Sequence, residues 1–176
     1  MATTKWVLDP NHSELQFKVK HLMITTVTGG LKIFSASVTS DSDDFENGDI
    51  SFAAETASID TGNTDRDNHL KSADFFDADQ FPAINFKSAS FTKDDDDYVI
   101  KGDLTVKGVT KPVSLKAEFG GIATDPWGNT KAGFTLSGKI NRTDFGLSWN
   151  AALETGGVMV SEEVKIAGEL QFVKQA

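Results

Sequence analysis

Apolar and polar side chains alternate with a period of two through most of the chain. Leu15, Phe17, Val19 and His21 fall on one face of an extended segment, with Glu14, Gln16, Lys18 and Lys20 on the other. Ile50, Phe52, Ala54 and Thr56 alternate in the same way with Ser51, Ala53 and Glu55. So do Tyr98, Ile100, Gly102, Leu104 and Val106, then Val113, Leu115, Ala117 and Phe119, then Phe134, Leu136, Gly138 and Ile140, and finally Val164, Ile166, Gly168, Leu170 and Phe172. Each set reads as a strand with one buried and one wet face.

Turn chemistry separates these strands. Gly29-Gly30 reads as the turn after the first long strand, residues 41–48 as an acidic loop, and Lys93-Asp94-Asp95-Asp96-Asp97 as a hairpin tip. Gly108-Val109-Thr110-Lys111-Pro112, Gly120-Gly121 and Asp125-Pro126-Trp127-Gly128-Asn129 read as further connections. Residues 64–72 break the alternation. They open on Thr and Asp and close on Lys, the charge order that suits a helix dipole, and predict a short helix. The expected architecture is therefore all-β: one domain over residues 1–176, an eight-stranded antiparallel, lipocalin-like barrel, with a short helix between strands. Closure removes the exposed edges that an open sheet would leave. Interior glycines at 102, 138 and 168 mark bends, close approaches or internal space, alternatives that the sequence leaves open.

Composition sharpens this picture. Thirteen Phe supply bulky mass with no polar atom to satisfy, so they suit the wall of a dry cavity as well as a solid core. The formal net charge is −9, and no run of basic residues interrupts it. Binding to nucleic acid phosphates is disfavoured on that ground, and so is attachment to an anionic membrane. The absence of Cys excludes disulfides and thiolate chemistry. The opening Met1-Ala2-Thr3-Thr4-Lys5-Trp6 lacks the parts of an export signal. The expected compartment is the cytoplasm, or the periplasm if the natural chain begins further upstream.

Candidate chemistry is sparse. His12, His21 and His69 lack the spacing of a metal site, and no nucleophile elbow accompanies any of the serines, so neither a metal nor a catalytic residue is expected. His12 reads as a turn or capping residue and His69 as an anchor of the short helix. Strand parity points Phe17, Val19, His21, Phe34, Phe52, Phe86, Leu104, Phe119, Phe134 and Phe172 inward, with Ile33 competing against Phe34 for its place. Phe75 and Phe76 sit where they would plug one end of the barrel. Arg66, Asp67 and Asp74 flank them and read as a network pinning the helix and its loop. Small eight-stranded barrels can also be filled by their own side chains, which would make the protein a structural or interaction module with no ligand.

Several blocks carry a resemblance. Trp6-Val7-Leu8-Asp9-Pro10-Asn11-His12-Ser13 is the first, and Phe17-Lys18-Val19-Lys20-His21 follows it. Next come Ser58-Ile59-Asp60-Thr61-Gly62 and the run from Arg66 through Asp77. Phe81-Pro82-Ala83-Ile84-Asn85-Phe86-Lys87-Ser88, the hairpin from Gly102 to Val113, and Arg142-Thr143-Asp144-Phe145-Gly146-Leu147-Ser148-Trp149 complete the set. In this order they resemble the YceI-like family over nearly the whole chain. The resemblance implies a non-enzymatic, lipocalin-like barrel whose hydrophobic tunnel holds a polyisoprenoid or isoprenoid-quinone-like lipid, for transport, storage or stress protection. It implies a homodimer and no cofactor. The twelve inward or plugging residues named above are then the expected ligand contacts. Members of the family are often exported, and the missing signal is where this chain departs.

Overall fold

A computed structural model describes residues 3–22, 24–41, 45–147 and 160–175. Eleven strands form one sheet: β1 (Thr4–Leu8), β2 (Glu14–His21), β3 (Thr25–Leu31), β4 (Phe34–Ser40), β5 (Asp49–Glu55), β6 (Ile59–Asp60), β7 (Ala83–Asp94), β8 (Asp97–Val106), β9 (Val109–Thr124), β10 (Thr130–Asn141) and β11 (Glu163–Lys174). Six of them are halves of three bent staves. A short 3-10 turn at Pro10–His12 separates β1 from β2, yet both pair with β11, through Leu8↔Phe172 and Lys18↔Lys165. In the same way β4 pairs with β1 while β3 pairs with β2, and β5 pairs with β4 while β6 pairs with β3. The result is an eight-stave, up-and-down antiparallel barrel, closed where β1 meets β11. Period-two alternation produces it, because one face of each stave must bury its apolar side chains against the others.

Helix α1 (Thr64–Lys71) lies between β6 and β7. Asn63 caps it by accepting a hydrogen bond from the Arg66 N–H at 3.0 Å, and Asp65 and Asp67 occupy the first turn. α1 has no buried residue, so its place depends on polar contacts. The Asp67 carboxylate accepts from the Thr61 N–H at 2.8 Å and from the Thr61 hydroxyl at 2.6 Å. The Arg66 guanidinium donates to the Thr61 hydroxyl and carbonyl oxygens, both at 2.7 Å. Lys107 reaches across from the β8–β9 turn to the Ala73 carbonyl at 2.9 Å.

Three turns differ from the sequence expectation. Gly29 and Gly30 are not a turn: they lie buried inside β3, and Gly29 faces Phe17 across the ladder. A side chain at Gly29 would occupy the space that the Phe17 ring fills. The chain reverses instead between the end of β2 and the start of β3, where Leu22 takes a left-handed φ of 55°. Gly120 and Gly121 likewise fall inside β9, beside a register shift at Gly133/Phe134 that absorbs the bulge. Of the stretch 108–112, only Gly108 belongs to a turn. Lys107 and Gly108 form a tight hairpin with φ of 51° and 74°, and Val109 already begins β9. The interior glycines 102 and 138 prove to be close approaches. A Cβ on Gly102 would strike the backbone of Lys87 and Ser88 at a bulge in β7, and one on Gly138 would strike Leu115.

Candidate ligand-binding cavity

One end of the barrel is solid. Phe45, from the connection between β4 and β5, is fully buried and forms the hub of an aromatic cluster. Its ring centroid lies 5.2 Å from Trp6, 5.9 Å from Phe119 and 5.0 Å from Phe134. Phe91 and Tyr98 meet edge to face with centroids 4.9 Å apart beside it, and Phe134 meets Phe172 in the same way at 6.0 Å. The Trp6 indole N–H is buried here with no hydrogen-bond partner among the described residues.

The rest of the interior is not filled. A cavity of about 180 Å³ runs from Phe91, Phe134 and Phe172 beneath this cluster to Val106, Val113, Ile140 and Leu147 at the opposite end, where Phe76 from the loop after α1 borders it. All of its lining side chains are apolar except Gln16 and Arg142. Such a space has too few polar partners to hold ordered water, and it stays dry. It is smaller than the usual ~300–1,000 Å³ ligand pocket. That size suits a single hydrocarbon chain better than a compact molecule.

Seven of the twelve residues expected at the ligand line this space: Phe17, Phe52, Phe76, Phe86, Leu104, Phe134 and Phe172. The other five do not. Phe119 belongs to the closed-end cluster. Phe34 is half-buried and packs 6.0 Å from Phe52, while Ile33 beside it points to solvent. Val19 and His21 lie near the far end of β2, beyond the cavity; there the His21 backbone bridges Val160. Phe75 is buried, but its ring meets the edge of His69 at 5.1 Å, outside the bore. Parity alone places these residues on the correct side of a stave without saying how far along the axis the empty stretch extends. For the same reason parity does not separate the aliphatic lining, with Ile50, Ile100, Val106 and Ile166 among it, from the rest of the buried face.

The histidines occupy three separate places. His12 Nδ1 contacts the Asp9 carboxylate at 2.8 Å in the 3-10 turn, and His69 Nε2 contacts Asp74 at 3.0 Å below α1. No group of three His, Asp or Glu side chains converges among the described residues.

Arg142 is the charged residue that sequence reasoning did not single out. It opens a 3-10 turn, Arg142–Phe145, that ends on Gly146 in the left-handed conformation. Its side chain is only 4% exposed and reaches the wall of the cavity. The guanidinium donates to the carbonyls of Leu147 at 2.5 Å, Ser161 at 2.8 Å and Val160 at 3.2 Å. It thus ties together the points where the chain leaves β10 and returns to β11. Burial pulls its pKa down, and the nearby Glu162 carboxylate opposes that pull. Arg142 heads the late motif noted in the sequence; Ser148 and Trp149 of that motif lie outside the described residues.

Comparison with known proteins places this barrel. A YceI-like domain matches residues 6–172. The UPF0312 protein SA2479 of Staphylococcus aureus (strain N315) is 39% identical over 170 residues, covering 96% of this chain and 97% of that protein. Among solved structures, the Campylobacter jejuni YCEI protein superimposes with a TM-score of 0.74 at 34% identity, over 89% of this chain and 90% of its own. A polyisoprenoid binding domain from Saccharophagus degradans superimposes with a TM-score of 0.66 over 97% of this chain and 98% of its own; at 14% identity that likeness is one of fold. On the domain match and the identity sustained along its length, this chain belongs to the YceI-like family.

Proposed function

We propose that the bore holds the hydrocarbon tail of an isoprenoid lipid and that the protein carries or shields that lipid without transforming it. The observation that carries this reading is the dry, apolar cavity left open along the barrel axis beneath a solid aromatic floor. The polyisoprenoid binding domain of the same fold supports the choice of lipid class. Each buried methylene contributes ~0.8 kcal/mol, so one five-carbon unit brings roughly 4 kcal/mol of gross transfer energy. That gain offsets part of an association cost of about 4–15 kcal/mol, and each further unit seated in the bore adds to it. Apart from Gln16 and Arg142 the wall is apolar, so bore width and length select the tail.

The competing reading, a barrel without ligand acting as a scaffold, draws on the solid end around Phe45. Mass spectrometry of an organic extract of the purified protein separates the two, with an isoprenoid expected. Ala36→Phe places a ring into the cavity wall on β4. This variant should stay folded, with a melting temperature within a few degrees of the parent, and yield an extract at least about tenfold poorer in lipid. An empty extract from the unaltered protein would leave only the scaffold.

A further inference from the structure

The β2–β3 turn is built against the usual rules. Its described residues are Leu22 and Ile24, although turns favour polar residues and glycine. Leu22 holds a left-handed φ of 55° that a large apolar residue rarely adopts. Leu22 is 36% exposed and Ile24 75%, so this strained tip presents hydrocarbon to solvent.

Behind the tip, the closed barrel gathers charge. Lys18 on β2 lies directly opposite Lys165 on β11, and Lys165 directly opposite Lys139 on β10. Like charges facing one another across strands destabilise a sheet, and adjacent strands stand only about 4.8 Å apart. All three lysines are exposed, and none forms an ion pair with another described residue. Lys20, two positions along β2, extends the row toward the tip and pairs with Ser161, while Glu163 lies two residues from Lys165 on β11. Short side chains at Ser114, Ser137 and Ala167 dish the wall between the lysines into a groove of about 590 Å³, whose far end is closed by Asp94 and Asp97. Surface charges act over about 8 Å at physiological ionic strength. Asp94, Asp97 and Glu163 offset part of the row's charge, and acid farther around the barrel does not reach it.

We propose that this hairpin and lysine row dock the protein on an anionic lipid bilayer, the tip entering the interface and the lysines meeting headgroup phosphates. Exposed hydrocarbon at the tip of one hairpin, with a lysine row running from that hairpin's β2 across β11 and β10, is the combination that such a surface recognises. The same strand, β2, turns Leu15 and Phe17 into the cavity and Lys18 and Lys20 outward, so docking sets the lipid-holding barrel at its lipid source. In naming that source, the proposal rests on the lipid-binding reading above.

Co-sedimentation of the full chain with phosphatidylcholine vesicles, with and without phosphatidylglycerol, tests it. Binding is expected only with phosphatidylglycerol and should weaken with added salt. Lys139→Gln/Lys165→Gln should weaken it on the order of 30-fold, at about 1 kcal/mol per lysine, without lowering the melting temperature, because a repulsive pair is removed. Leu22→Asn/Ile24→Ser should weaken it about tenfold and keeps the fold, since Asn tolerates the left-handed turn. Absence of binding, equal binding to both vesicle types, or unchanged binding by both variants would overturn the proposal. It would also fall if these variants only separated two copies of the chain in size-exclusion chromatography. Lipid extraction distinguishes the two readings. Isoprenoid in the extract without vesicle binding refutes docking alone, and vesicle binding with an empty extract refutes the cargo alone.

Discussion

Arg142 shows how much one buried side chain can organise. Three of its hydrogen bonds join the Leu147 carbonyl to those of Val160 and Ser161, on either side of the β10–β11 connection. Hydrogen bonds to charged groups contribute more than neutral ones, and an orphaned buried carbonyl costs a further 1–3 kcal/mol or so. Arg142→Met should therefore destabilise the protein by on the order of 3 kcal/mol, read as a shift of the urea unfolding midpoint at unchanged slope. Lys at this position should recover only part of that loss, because one ammonium cannot span three carbonyls in the plane of a guanidinium. At the residue scale the sequence was a fair guide to the histidines. His12 sits in a turn held by Asp9, and His69 supports the segment below α1 through Asp74 and Phe75. It was a poor guide to Arg142, since nothing in its neighbours marks an arginine that folds inward.

Among the elements, the connection between β4 and β5 departs furthest from its appearance. It reads as an acidic loop, yet its one aromatic residue, Phe45, is the hub of the aromatic cluster that closes one end of the barrel. Phe45→Ala removes the hub of that cluster and should cost about 3–5 kcal/mol, the range for a large buried aromatic. It should also lengthen the bore toward the closed end, so that lipids with longer tails are enriched in the extract. The short helix was legible at Thr64–Lys71 from its cap and charge order. The glycine pairs misled, because a glycine that lets Phe17 lie flat is spelled like a glycine that makes a turn. Only the partner strand tells them apart.

For the molecule as a whole, a ligand within a closed barrel touches most of the staves at once, so occupancy should stabilise the entire fold. Removing the lipid by extraction and refolding should lower the melting temperature. At a hundredfold excess over Kd the linkage is worth about 2.7 kcal/mol, or roughly 5–10 °C for a chain of this size. Scanning calorimetry before and after lipid is added back measures it. Unchanged melting would count against a ligand spanning the interior.

Local chemistry, read along the chain, determined the all-β class, the order of most strands, the helix and the inward face of each stave. Alternation, caps and hairpin tips act between residues a few positions apart, and the sequence displays those directly. Three things were decided only when β11 closed on β1 and β2. One is the empty stretch of bore, which depends on how rings from distant strands meet at one level of the axis. Another is the buried clamp of Arg142. The last is the lysine row. No basic run exists in the sequence, yet residues 18, 139 and 165 become neighbours in the barrel. Space and charge sum over what is near in three dimensions, and strand pairing across the closure, not chain order, sets that nearness.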